Sequence, residues 1–294
     1  MKHRGLGYTL VGLCLAVAAV GVALFAAFAP GPEKPGTSLI PEHVEIRAPE
    51  SSSSPDSLPS SELPKPVQKP PVNVPPAPEP DTGKVAYLTF DDGPTPKTPE
   101  VLKILKDHKA TATFFTVFHP ESDLYYRQIA DSGCQLALHA YNHDYKPLYA
   151  SVESYFADFY KMQAYLRKFT KTPVTDFRFP GGSSQTVTDK RMFCKIILET
   201  QKQGLRYFDW NVSAGDATNA KISAEYVYNN IIPAAFQYDR PVILMHERSP
   251  YTRAALPRII EALKEKGYSF GQVKDLSETV QHRTPAYAAK VLAE

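Results

Sequence analysis

The sequence has few of the features expected of a nucleic-acid-binding or disulfide-rich protein. Its 294 residues include 33 basic and 31 acidic side chains, so there is no excess of positive charge to favour a nucleic-acid partner. Only three cysteines occur. Cys134 and Cys194 lie in apolar segments, where a small buried residue is the ordinary role. The spacing alone leaves a bridge between them open, but we expect no fold that depends on disulfides.

Charge is absent between Gly5 and Pro30, after a short basic leader. This apolar stretch is long enough to cross a bilayer as a helix, with the basic end inside the cell. It is longer than the apolar core of an ordinary signal peptide. We therefore expect residues 1–30 to be a retained single-pass membrane anchor with the rest of the chain extracellular. Cleavage after Ala29, within the sequence AFA, would instead release a secreted protein.

The next segment, residues 31–83, is rich in proline and serine. It contains too little apolar surface to fold and is typical of an extended, disordered linker. The sequence therefore predicts one folded domain over residues 84–283, followed by a C-terminal tail at 284–294.

Within the domain, short apolar runs alternate with amphipathic helical patterns. Alternation of this kind predicts an α/β fold with a parallel sheet, either open or closed. Ser151 and Ser223 are positioned to cap helices, and Gly133, Gly204 and Gly267 stand where helices should end. The predicted strands are 85–90, 111–117, 134–139, 175–179, 205–210, 241–246 and 268–270.

Chemically reactive residues fall at the ends of these strands. The carboxyl ends of parallel strands share one edge, where such folds carry their active sites. The residues at this edge are Asp91, Asp92, His139, Arg178, Trp210 and His246. We therefore expect them to lie close together.

The residue types at this edge favour a metal-dependent hydrolase. His139 and His143 are four apart, a spacing that on a helical turn puts both imidazoles on one side. Two histidines and one carboxylate make a common open zinc site. One member of the Asp91–Asp92 pair would then bind the metal, and the other would act as general base. Arg178 could pair with the free carboxylate, and His246 could donate a proton to the leaving group.

Five motifs resemble the polysaccharide deacetylases of carbohydrate esterase family 4, the NodB-homology domain. They are TFDDGP (89–94), HxxxH (139–143), RFP (178–180), WNVxxxD (210–216) and LMH (244–246). The resemblance implies a distorted (β/α)7 barrel that removes N-acetyl groups from an amino-sugar polymer. It implies that Asp92, His139 and His143 bind the metal. It also implies a catalytic group in which Asp91 is the general base and His246 the general acid. In this group Arg178 orients Asp91, and Asp216 tunes His246.

The sequence departs from the family pattern at three positions. Ala140 replaces a Ser or Thr that braces the second motif. Gly181 stands where the family has Tyr or Phe, although its backbone N–H could still serve the oxyanion hole. Ala217 replaces a Trp, and Trp210 could supply part of that pocket wall, next to Leu244. None of these changes removes a residue of the catalytic group.

Three functions agree with these residues. The first is metal-dependent deacetylation of a cell-envelope polysaccharide, most readily peptidoglycan, in the manner of membrane-anchored Gram-positive enzymes. The second is hydrolysis of O-acetyl esters on xylan or another glycan. The third is a non-catalytic glycan-binding module on the same fold, which would have no need for the complete catalytic group. We expect a monomer that uses Zn²⁺, although Co²⁺ or another divalent ion would also suit the ligands.

Overall fold

The computed structural model describes residues 83–218 and 220–294. The predicted membrane anchor and almost all of the predicted linker lie outside the described residues. Among the described residues, no helix combines the length and the apolar character needed to cross a bilayer.

Eight parallel strands form the centre of the domain. They are β1 (Lys84–Gly93), β2 (Ala112–Val117), β3 (Gln135–Ala140), β4 (Asp176–Phe177), β5 (Arg206–Tyr207), β6 (Val212–Ser213), β7 (Val242–His246) and β8 (Tyr268–Phe270). The order across the sheet is β5-β4-β3-β2-β1-β7-β6. β8 pairs with the first residues of β1, and β7 pairs with the following residues of β1.

The sheet is curled in the manner of a (β/α) barrel. β5 and β6 stand at opposite ends of the strand order, yet only residues 208–211 separate them in the chain. A link this short requires the two ends of the sheet to approach each other. No ladder joins β5 to β6 in the described part of the chain. The predicted α/β class is therefore confirmed, with the strands arranged as an incompletely closed barrel.

Eight α-helices accompany the strands in the described residues. They are α1 (Thr98–Asp107), α2 (Asp123–Asp131), α3 (Tyr145–Leu148), α4 (Val152–Leu166), α5 (Lys190–Lys202), α6 (Ala224–Ala235), α7 (Pro250–Glu265) and α8 (Pro285–Ala293). The predicted caps are confirmed, because the Ser151 and Ser223 side chains accept from backbone N–H groups at the starts of α4 and α6. Gly133, Gly204 and Gly267 all have positive φ after helices.

Two predicted strands are much shorter in the structure. The fifth was expected over residues 205–210, but β5 contains only Arg206–Tyr207. Its continuation leaves the sheet because the carbonyl oxygens of Phe208 and Asp209 accept hydrogen bonds from the Arg178 guanidinium. The fourth, expected over residues 175–179, contains only Asp176–Phe177. β6 is an additional strand that the sequence pattern did not indicate, because two residues are too few to show a period.

The C-terminal residues, which the sequence pattern set apart as a tail, form α8. This helix buries Ala288 and Val291. Arg191 of α5 donates to the carbonyl oxygens of Val291 and Leu292 at 2.8 and 3.1 Å. The packed part of the chain therefore continues beyond residue 283. Cys134 and Cys194 are free thiols.

Candidate active site

The strand register brings the predicted residues to one edge of the sheet. Asp91 in β1 is directly opposite His246 in β7. His139 lies near the end of β3, and His143 follows in the loop after that strand. Asp92 has φ of +68°, a conformation that an Asp tolerates better than most residues. The side chains of Asp91 and Asp92 therefore point in different directions from the end of β1.

Asp92, His139 and His143 form a triad whose donor atoms converge. Asp92 Oδ1 lies 3.6 Å from His139 Nε2 and 3.3 Å from His143 Nε2. The two imidazole nitrogens are 3.3 Å apart. Bonds of about 2.0–2.1 Å to a tetrahedral ion place ligand atoms roughly 3.3 Å apart. The triad therefore fits a divalent cation, and its two nitrogens and one oxygen match the donors that zinc takes.

The protonation of the triad also suits a cation. His139 Nδ1–H donates to the Arg178 carbonyl oxygen at 2.7 Å, so the Nε2 lone pair faces Asp92. Burial and the neighbouring His139 lower the pKa of His143, which favours the neutral imidazole. Burial raises the pKa of Asp92, but the interactions of its carboxylate with the neighbouring His139, His143, His246 and Arg248 outweigh that effect, and the net pKa is lowered. Asp92 is therefore a carboxylate.

The two histidines converge through a loop rather than the helical turn that their spacing suggested. His139 is in β3, so the intervening residues must turn sharply. Asp158 of α4 holds this turn by accepting from the N–H groups of Tyr141 and Asn142 at 2.7 and 2.8 Å. No motif indicates Asp158, because it lies on a helix remote from all of them.

Asp91 is paired with a fully buried arginine. Arg178 Nη1 donates to Asp91 Oδ1 at 2.7 Å and to Thr89 Oγ1 at 2.9 Å. Its other nitrogens donate to the Phe208 and Asp209 carbonyl oxygens, both at 2.9 Å. These contacts hold the guanidinium rigidly, so one oxygen of Asp91 is committed to it. The other, Oδ2, lies 3.8 Å from His139 Nε2 and faces the triad.

His246 is held by a second carboxylate, as the resemblance implied. Its Nδ1–H donates to Asp216 Oδ1 at 2.9 Å, and Thr252 Oγ1 donates to Asp216 Oδ2 at 2.6 Å. Nε2 points toward Asp92 Oδ2, at 3.8 Å. Burial alone lowers the pKa of His246, but the bond to Asp216 and the surrounding carboxylates raise it above 6.5. The shift extends the protonated imidazole to a higher pH than usual, and its Nε2 side faces the triad.

The predicted pocket residues lie around the same edge. Gly181 has φ of +78°, and the position that a Cβ would take is 3.1 Å from the Tyr145 ring. Tyr145 thus fills the space that a side chain at position 181 would need. Trp210 packs against Gly182, where a Cβ would lie 2.8 Å from the indole. Leu244 is two residues before His246 on β7 and therefore shares its face of the sheet.

Asp209, which none of the sequence motifs indicated as a site residue, braces the loop that follows Gly181. Its carboxylate accepts from both the N–H and the hydroxyl of Ser183, and from the N–H of His282. His282 Nε2–H in turn donates to the Trp210 carbonyl oxygen at 2.7 Å. The chain before α8 therefore closes over this loop. The only sequence signal was the position of Asp209 beside Trp210.

Together the fold and the site indicate a hydrolytic enzyme in which Asp91 and His246 flank three side chains that could hold a metal ion. The family model described as polysaccharide deacetylase matches residues 79–194. The chain belongs to this family, carbohydrate esterase family 4 or the NodB-homology domain, and is a hydrolase of the polysaccharide deacetylase type.

Known relatives agree with this assignment. A peptidoglycan-N-acetylglucosamine deacetylase of Bacillus cereus is 33% identical over 194 residues, which cover 64% of this chain and 68% of the relative. A second B. cereus protein of the same description is 31% identical over 204 residues, covering 67% and 90%. The catalytic domain of a peptidoglycan N-acetylglucosamine deacetylase from Eubacterium rectale superposes with a TM-score of 0.66 at 33% identity, covering 69% of this chain and 94% of that domain.

Proposed function

We propose that the protein removes the acetyl group from N-acetylglucosamine residues of peptidoglycan. The observation that carries the proposal is the convergence of three units at one edge of the sheet: the Asp91–Arg178 pair, the Asp92–His139–His143 triad, and the His246–Asp216 pair. Amide hydrolysis needs a base for the attacking water and an acid for the leaving amine. The names of the relatives support the amino-sugar substrate.

Each residue of the site has a distinct role in this reaction. A divalent ion held by Asp92, His139 and His143, most readily Zn²⁺ but also Co²⁺ or another ion, would supply Lewis acidity for water and the acyl oxygen. Asp91 accepts the proton of the attacking water through Oδ2, because Arg178 occupies Oδ1. The Gly181 N–H donates to the acyl oxygen as it gains negative charge.

His246 completes the reaction by protonating the departing amine. Asp216 accepts from Nδ1–H, which leaves the Nε2–H directed at the triad. The raised pKa of His246 lets the imidazole retain this proton to a higher pH than an ordinary histidine would. Trp210 and Leu244 would form apolar walls around the acetyl methyl group.

The substrate is tested by mass analysis of glycans after incubation with the purified protein. We expect acetyl loss from peptidoglycan fragments and from N-acetylglucosamine oligomers, and none from acetylated xylan oligomers. The Asp91→Asn protein is the matched control, since it changes a single functional group. Loss of acetyl from xylan alone would establish O-acetyl esterase activity in place of the proposed function, and loss from N-acetylmuramic acid alone would move the reaction to the other sugar.

We also propose that residues 1–30 anchor the enzyme in the membrane, with the catalytic domain outside the cell. The support is the uncharged stretch from Gly5 to Pro30 behind a basic leader. The full-length protein should then remain in the membrane fraction with its N-terminus intact. N-terminal sequencing that began at Pro30 would instead show a cleaved, secreted enzyme.

A further inference from the structure

Tyr145 lies between the triad of Asp92, His139 and His143 and the loop that contains Gly181. It is the first residue of α3, immediately after the loop that carries His143. Its ring meets the His143 ring edge-on, with centroids 5.4 Å apart and an interplanar angle of 88°. On the other side, both Cε1 and the hydroxyl oxygen lie 3.1 Å from the position of a Cβ at Gly181. The phenol therefore borders both parts of the site.

Two hydrogen-bond donors where Tyr145 meets the loop at Gly181 have no acceptor within the described part of the protein. In the described residues, neither the Gly181 N–H nor the Tyr145 hydroxyl makes a hydrogen bond. The Tyr145 hydroxyl is not among the fully enclosed atoms that lack a partner, so its oxygen retains contact with solvent. Two adjacent free donors beside a catalytic edge are suited to one oxygen that becomes negatively charged.

A neighbouring tyrosine shows what a purely structural hydroxyl does in this region. Tyr149 follows Tyr145 by one turn, and the two rings are 6.0 Å apart. The hydroxyl of Tyr149 donates to the Pro180 carbonyl oxygen at 2.8 Å and so braces the loop that contains Gly181. The support of that loop is therefore provided by Tyr149, and the hydroxyl of Tyr145 remains available.

The backbone holds Tyr145 in place. Asp144 caps α3 by accepting from the Lys146 N–H at 3.2 Å, and Leu148 anchors the helix in the core. The positive φ of Gly181 keeps its own Cβ position empty, so the ring can approach the loop closely. A donor held in advance on a rigid element contributes more to catalysis than one that must reorganise.

We propose that the Tyr145 hydroxyl and the Gly181 N–H form a donor pair for the acyl oxygen of the substrate. The proposal rests on the proposed deacetylase function and adds a catalytic residue to it. The pair acts on the oxygen that is common to an N-acetyl amide, an aryl acetate and the product acetate. The contribution of Tyr145 should therefore be independent of which sugar carries the acetyl group.

The test compares Tyr145→Phe with Tyr160→Phe, a change of a tyrosine exposed on α4. Kinetics are measured on N-acetylglucosamine oligomers and on an aryl acetate, together with metal content and the Kd for acetate. Removal of one donor of this kind typically lowers kcat by about 10²-fold. We expect Tyr145→Phe to lose kcat on that scale on both substrates, to bind acetate more weakly and to keep its metal. Tyr160→Phe should match the wild type in all four measurements.

The outcomes separate this proposal from the proposed function. If the wild type hydrolysed the aryl acetate but not the oligomer, the proposed amino-sugar substrate would be wrong. The aryl acetate kinetics of Tyr145→Phe would still decide the donor role of Tyr145. Unchanged kcat and acetate affinity in Tyr145→Phe would overturn the donor role. Loss of metal in that variant would also overturn it, because Tyr145 would then only position His143. A wild-type protein that hydrolysed neither the oligomer nor the ester and did not bind acetate would overturn both proposals.

Discussion

Asp91→Asn is expected to lose about 10²–10⁴-fold in kcat on an N-acetylated oligomer, the usual contribution of a general base. The amide cannot accept the proton of the attacking water. The substitution preserves the shape of the side chain and an acceptor for Arg178, whose Nη1 lies 2.7 Å from Asp91 Oδ1. We expect a lower Tm, because a buried guanidinium loses its counter-ion.

The control for Asp91→Asn is the state of the folded protein. Circular dichroism should show native secondary structure at the assay temperature, so that the loss of kcat reports chemistry. Normal kcat in a folded Asp91→Asn protein would exclude Asp91 as the base.

His246→Ala should lose activity on a similar scale, but the loss should depend on the leaving group. An amine must be protonated as the C–N bond breaks, and the free Nε2–H of His246 faces the triad. An aryl oxide leaves without a proton. We expect a loss of about 10²–10⁴-fold on the amide and a much smaller loss on an aryl acetate.

The matched control is His108→Ala, a histidine at the end of α1. It should have wild-type kcat on both substrates. Equal losses for His246→Ala on the amide and the aryl ester would contradict the general-acid role. They would indicate that His246 acts on the acyl oxygen or supports the site structurally.

The position of the site could be predicted from sequence because it depends on strand ends. Buried parallel strands are recognisable as apolar runs, and a polar residue just beyond such a run must lie at the carboxyl edge. Asp91, His139 and His246 are predicted at one edge on this ground, and the register confirms that Asp91 and His246 are opposite each other. The role of Asp216 was predicted only from the family resemblance, because Asp216 follows β6, a strand too short to recognise in the sequence.

The supporting residues could not be predicted, because their partners are distant in the chain. Asp158 and Asp209 act through hydrogen bonds to backbone N–H groups, which leave no residue pattern. Tyr145 is two residues after the predicted ligand His143, but its contact with Gly181 depends on how two loops pack. The early end of β5 likewise follows from Arg178 taking the Phe208 and Asp209 carbonyl oxygens, a contact across 30 residues or more.

The central claim is that the two adjacent aspartates have different roles: Asp92 is a metal ligand, and Asp91 is the general base. The most direct test is the metal content of Asp91→Asn and Asp92→Asn, measured by elemental analysis on proteins purified in parallel with the wild type. The two variants differ only in which neighbour carries the same change. We predict wild-type metal content in Asp91→Asn and a large loss in Asp92→Asn. A filled Asp92→Asn site beside an empty Asp91→Asn site would contradict the account.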